Sequence, residues 1–189
     1  MKKIIGTIIF SLLIIGCVTS PPSVRDLTAI RQNADNGDSK AQAEMGFSYQ
    51  YGDGVTKDAQ KALIWNLKSA NQGNPMAQHN LAVMYDEGVD IPRDKTLAVK
   101  WYQKAAEQGH PRAQLNLGVM YWKGDGVEKN VKRGWDLLNH VRMTSPTDEE
   151  KWAARRVLDT IKNEIGVDSS KIGPLDYPDW EMLQKATKL

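Results

Sequence analysis

The sequence predicts an all-α protein, an α/α solenoid of about three 36-residue helix-turn-helix repeats with capping helices. Three observations predict it. Small and aromatic residues recur at a fixed interval of 36 positions. Apolar side chains within each row keep helical spacing, and glycine clusters separate the helical stretches. The composition fits one compact domain after any targeting segment: of 189 residues, 41% are hydrophobic and 25% charged, which excludes a disordered or collagen-like chain.

The chain opens on a targeting signal. Lys2 and Lys3 precede the apolar stretch 4–15 (IIGTIIFSLLII), and Gly16-Cys17 follows. Basic, apolar and small-residue regions in that order make a secretory signal. The stretch is too short for a transmembrane helix, which needs ~20 apolar residues. Ile14-Ile15-Gly16-Cys17 resembles a bacterial lipoprotein signal, although Ile15 stands where that signal carries a small residue. The resemblance implies that residues 1–16 are removed and that Cys17, the one cysteine of the chain, carries a diacylglycerol and an amide-linked acyl chain. Several chains make a durable anchor where a single one binds only marginally. Residues 17–24 then form a lipid-anchored Pro/Ser tether. Val18 follows the cysteine where an Asp would retain the protein at the inner membrane, so the expectation is an outer-membrane lipoprotein facing the periplasm.

Residues 25–36 read as an N-terminal capping helix, because Leu27–Gly37 mimics Leu63–Gly73, with Ala34 against Ala70. Residues 37–145 hold the repeats. Gly37, Gly73 and Gly109 start the rows, followed by Ala41-Gln42, Ala77-Gln78 and Ala113-Gln114. Met45, Leu81 and Leu117 align next, then Tyr49, Tyr85 and Tyr121, then Gly52, Gly88 and Gly124. In the first helix of a row, i, i+4, i+8 spacing puts Ala41, Met45 and Tyr49 on one face. The second helix carries Ala62, Trp65 and Ala70, matched by Ala98, Trp101 and Ala106, and the two tryptophans read as core between repeats. In the third row Leu137 replaces the tryptophan and Gly134 an alanine, a drift that suits a terminal repeat. Asp90 replaces a glycine in the second loop, which predicts a differently shaped turn. Residues 146–189 make a C-terminal capping helix and tail. Pro146-Thr147-Asp148-Glu149-Glu150 starts a helix running to about Ile165, with Trp152, Val157, Leu158 and Ile161 on its buried face. A loop over 166–178 and a short helix over 178–188 follow.

The pattern Ala-Gln-x-x-Leu-Gly-x-x-Tyr-x-x-Gly-x-Gly-Val, then Lys-Ala-x-x-Trp-x-x-Lys-Ala-Ala-x-x-Gly, is similar to the Sel-one-like repeats. These are α/α solenoid units related to tetratricopeptide repeats. The resemblance is strong over 37–109 and holds over the first half of 110–142. It implies a protein-binding scaffold.

Signatures of chemistry are sparse. Lys plus Arg is 25 and Asp plus Glu is 23; Lys2 and Lys3 account for the excess, so residues 17–189 carry no basic surplus and no nucleic-acid footprint. His79, His110 and His140 lack metal-ligand spacing, and no nucleophile elbow, zincin motif or P-loop occurs. No catalysis and no cofactor or metal are expected. The recurring Gly-Asp-Gly at row junctions reads as a turn.

A surface remains. With Met45, Leu81 and Leu117 buried, helical geometry turns Lys40, Ala43, Phe47, Gln50 and Tyr51 of the first row toward the groove between first helices. The second row contributes Met76, His79, Val83, Asp86 and Glu87, and the third Arg112, Leu115, Val119, Trp122 and Lys123. An apolar strip with charged flanks reads as a partner site, with Phe47, Trp122 and Arg112 as anchors and His79 and Glu87 setting register. The alternative is that the C-terminal segment covers the strip. The leading functional expectation is a non-catalytic, lipid-anchored periplasmic scaffold for another protein. The resemblance implies a sharper form, an immunity protein blocking a secreted toxic effector. Rival readings are a cell-wall-related binder, a β-lactam-acting envelope enzyme of the kind that relies on disulfides this chain lacks, or a surface-exposed virulence factor. The oligomeric state stays open.

Overall fold

The computed structural model describes residues 27–88 and 90–166. The signal, Cys17, the tether and the expected 178–188 helix lie outside them. Eight helices follow in order: α1 Thr28–Asp35, α2 Ser39–Tyr51, α3 Ala59–Asn71, α4 Pro75–Glu87, α5 Lys95–Glu107, α6 Pro111–Lys123, α7 Val131–Thr144 and α8 Asp148–Glu164. No strand occurs among the described residues. The architecture is an all-α solenoid of three hairpins, α2–α3, α4–α5 and α6–α7, preceded by the lone helix α1 and followed by α8.

Local chemistry sets the helix ends. Asp38, Asp58, Asn74, Asp94, His110, Asn130 and Thr147 each accept a hydrogen bond from a backbone N–H of the first turn they precede. Gly52, Gly88 and Gly124 close the first helices in the left-handed region, where a Cβ would be penalised. Asp90 does not reshape its turn as the sequence suggested. Its φ of 60° matches the 73° of Gly54 and the 70° of Gly126 at the same repeat position. Asp enters this region more readily than most residues, and its carboxylate meets Lys57 Nζ at 3.3 Å.

The core runs as four linked clusters along the stack, with Met45, Leu81 and Leu117 buried at its centre. The repeated Ala-Gln pairs have a role that spacing did not disclose. Gln42, Gln78 and Gln114 donate to the carbonyls of Ala34, Ala70 and Ala106, at 3.0, 3.3 and 3.1 Å. Each is a second bond to a carbonyl in the last turn of the preceding helix, which also accepts the backbone N–H of Gly37, Gly73 or Gly109. Gln72 donates to Gln42 and Gln108 to Gln78, both at 2.8 Å, so a ladder of amides joins neighbouring repeats, its buried glutamines met by exposed ones.

Three tryptophan placements correct the sequence reading. Trp65 and Trp101 are half-buried at the outer edge of the core, with Lys68 and Lys104 ammonium groups 4.5 and 4.3 Å from their ring centroids. The lysine three residues on covers the ring, so these are amphipathic edges and not fully enclosed inter-repeat core. In the third row the core tryptophan is Trp135, only 3% exposed, at the position of Val99. Trp152 is 62% exposed, because the buried stripe of α8 is Glu150, Ala154, Leu158 and Ile161 and a residue two positions along points away.

Candidate partner-binding surface

First helices touch one another, α2 with α4 and α6 with α8, and so form the inner layer of the stack. Helix α8 packs on α7 and α6 as α4 packs on α3 and α2, taking the place of a fourth first helix. This divides the sequence-predicted strip.

Its third-row part is engaged within the chain. Leu115, Val119 and Trp122 are half-buried against the cluster of Trp135, Leu138, Leu158 and Ile161. The Trp122 indole N–H donates to Glu164 at 2.9 Å. The Arg112 guanidinium donates to Glu150 at 3.1 Å and to Glu149 at 3.4 Å. Trp122 and Arg112, expected as anchors for a partner, thus already hold α8. Lys123 stays exposed, with its ammonium group 5.5 Å from the Trp122 ring centroid.

The first two rows leave an open aromatic pair and, at the start of α4, an exposed methionine. Phe47, Tyr51 and Met76 are 41, 56 and 49% exposed, and the Phe47 and Tyr51 rings sit 4.6 Å apart at a 47° tilt. Partial burial, then the nearby Glu87 carboxylate, pushes the Tyr51 phenol up, so it stays a hydrogen-bond donor at neutral pH. Beside the pair lies an open polar cleft of about 480 Å³. Val83, Asp86 and Glu87 of α4 line it opposite Asn116, Val119 and Lys123 of α6, with Tyr102 of α5 between them. Arg93, Lys95 and Asp125 complete the wall. Lys95 bridges Asp125 and Asp86, the latter at 3.9 Å, and Arg93 donates to the Asp86 carbonyl at 2.6 Å. Asn116 donates to the Tyr102 hydroxyl at 3.1 Å. Burial, then Asp86, raises the Tyr102 phenol well above its ordinary value.

His79 sits below the surface and not at its rim. Its ring stacks on His110 at 4.7 Å and 23° and lies 5.8 Å from the Tyr102 ring. Burial chiefly, then His110, lowers its pKa to about 4, so it is neutral at pH 7. The cleft residues Arg93, Lys95 and Asp125 escaped sequence reasoning because loops and a second helix bring them to a face assigned from first helices alone, and Asn116 of α6 because it sits one position off the faces chosen. Among the described residues no group of three or more His, Cys, Asp and Glu is placed to hold a metal ion. The arrangement can grip a polypeptide by apolar contact and by hydrogen bonding.

Comparison with known proteins places this geometry. The Sel1 repeat model matches residues 39–74, 75–110 and 111–139. A Sel1 repeat protein from Oxalobacter formigenes has a similar structure at 34% identity and a TM-score of 0.61, covering 72% of this chain and 98% of that one. The c5321 protein, a protective antigen present in uropathogenic Escherichia coli strains, is similar at 34% identity and a TM-score of 0.58, over 75% of this chain and 28% of that one. Helicobacter pylori cysteine rich protein B shares the fold at 20% identity and a TM-score of 0.55, over 69% and 96%. No curated protein matches in sequence. Three consecutive matched repeats, the hairpin stack they form and these structural relatives lead to one conclusion: the chain belongs to the Sel1 repeat family.

Proposed function

We propose that this protein is a lipid-anchored adaptor that holds another protein on the face built by α2, α4 and α6, without catalysis. Sel1 repeat proteins serve generally as scaffolds for protein–protein interaction. The observation that carries the assignment to this face is the exposed Phe47–Tyr51 aromatic pair beside the polar cleft of Asp86, Glu87 and Lys123. An aromatic anchor pair with polar groups around it is the usual energetic centre of a protein interface. Trp122 and Arg112, held by α8, act behind this surface by fixing α6. The anchor is the lipid on Cys17, and the site of action is the periplasmic side of the outer membrane. In its sharpest form the adaptor is an immunity protein whose partner is a secreted toxic effector. Its gene then adjoins the effector gene, and its loss kills only cells that meet that effector.

Two measurements test this. Tagged wild-type protein recovers a partner from envelope extract, and a Phe47→Ala, Tyr51→Ala double variant binds that partner ~30-fold more weakly, about 2 kcal/mol, with an unchanged melting temperature. Equal recovery by both removes the pair as the site. Separately, the wild type labels with palmitate and partitions with membranes, while Cys17→Ser does neither. A wild type without label, retained equally with the variant, removes the anchor.

A further inference from the structure

We infer that His79 and His110 form a pH-sensitive latch between the second and third repeats, closed when both imidazoles are neutral and released when they take up protons. Two departures from the repeat pattern meet at one point. Asp38, Asn74 and His110 occupy the same repeat position and cap α2, α4 and α6, and only the third is an imidazole. His79 stands where the neighbouring rows carry Ala43 and Leu115. These two substitutions, two of the three histidines in the chain, stack on each other at 4.7 Å.

The chemistry of the contact has a fixed proton requirement. His110 Nδ1 accepts the Ala113 N–H at 3.3 Å, and this caps α6. A neutral imidazole offers one lone pair for that bond, whereas an imidazolium has two N–H groups and none. Protonation therefore removes the cap and sets a cation at the positive end of a helix. His79 Nε2 is buried with no hydrogen-bond partner, so a charge there has nothing to compensate it. Arg112 of α6 adds a third positive group beside the pair. Glu150 of α8 favours a charged His110, but it already accepts from Arg112, Ser145 and Thr147. Glu149 of α8 is likewise bound to Arg112, Tyr102 of α5 stays a neutral phenol, and the Asn80 side chain favours a charged His79 without outweighing burial.

Burial is the leading cause that lowers both histidines, His79 to about 4. The unfolded chain, with ordinary histidines near 6.5, then binds more protons than the native one as pH falls. Stability is complete above pH 6.5 and is lost through the window from 6.5 to about 4. The latch lies under the seam that carries the cleft. That acid also loosens the grip on a partner rests on the proposed function, whereas melting reports the latch without any partner.

The test measures the melting temperature of the full chain from pH 7.5 to 4.5, for the wild type and for a His79→Leu, His110→Asn variant. Those replacements are the residues of adjacent rows at the same positions. Between pH 7 and 4.5 the wild type is expected to lose ~5 °C more than the variant, because other acid-sensitive groups act equally in both. Proton NMR of the wild-type rings covers the case of a variant that does not fold, and His110 should titrate below 6.5 and His79 at about 4. Parallel melting profiles, or ring protons of His79 and His110 titrating near 6.5, overturn the latch.

Discussion

Replacing Gly134 by alanine is expected to destabilise the protein by about 2–3 kcal/mol, although the same change inside an exposed helix stabilises by about 1 kcal/mol. The reversal comes from α6 and α7 pressing together through glycines. A Cβ on Gly134 would stand 2.6 Å from the Gly118 carbonyl oxygen and 2.9 Å from the Trp122 amide nitrogen. Both are backbone atoms, so no side chain can swing aside and the two helices must separate. The cost then spreads, because Trp135 and Leu138 lie on the same helix and bury against α8. Urea unfolding of the variant should show a lowered midpoint with little change in slope. A midpoint equal to or above that of the wild type would show that α6 and α7 are not in such close contact.

Truncating Glu150 to alanine should cost about 2–3 kcal/mol, because its carboxylate joins three elements. Thr147 caps the start of α8, its hydroxyl accepting from the Glu150 N–H and donating to the Glu150 carboxylate. The buried Ser145 hydroxyl also donates to it, at 2.9 Å, and Arg112 does so from α6 at 3.1 Å. Removing the carboxylate leaves Ser145 without its acceptor inside the fold. Arg112→Ala should cost far less, since that side chain is 58% exposed and water replaces its partner. Thermal melting of both single variants and the double variant reads the coupling directly. Equal losses for Arg112→Ala and Glu150→Ala would show that the ion pair, not the buried cluster, holds α8.

The repeat register was legible because a fixed interval makes each row a control for the others. Aligned alanines, tyrosines and glycines located the helices and their turns, and the helix-start residues Pro146 to Glu150 located α8. Burial was less legible. Trp65 and Trp101 read as core from their recurrence, but a position recurs equally well at the edge of a repeating core, where a neighbouring lysine covers the ring. Gly134 read as drift because its meaning lies in Gly118, sixteen positions away on another helix. The groove was assigned from the first helices, with cover by the C-terminal segment as the alternative, and α8 covers its third-row part alone. Where α8 covers it, the residues that would have faced solvent became a junction, and only Phe47, Tyr51 and Met76 kept an open apolar surface.

The ladder of glutamines ends before α8. Its rungs join α1 to α2, α3 to α4 and α5 to α6 through neutral amides, whereas α8 is held to α6 by carboxylates against Arg112 and the Trp122 indole. Neutral hydrogen bonds are indifferent to ionic strength, while charge pairs that reach solvent are screened by it. The junctions therefore answer differently to salt: added electrolyte leaves the amide-stitched ones as they were and weakens the polar contacts of α8 with α6, while the apolar packing of α8 on α7 stays in place.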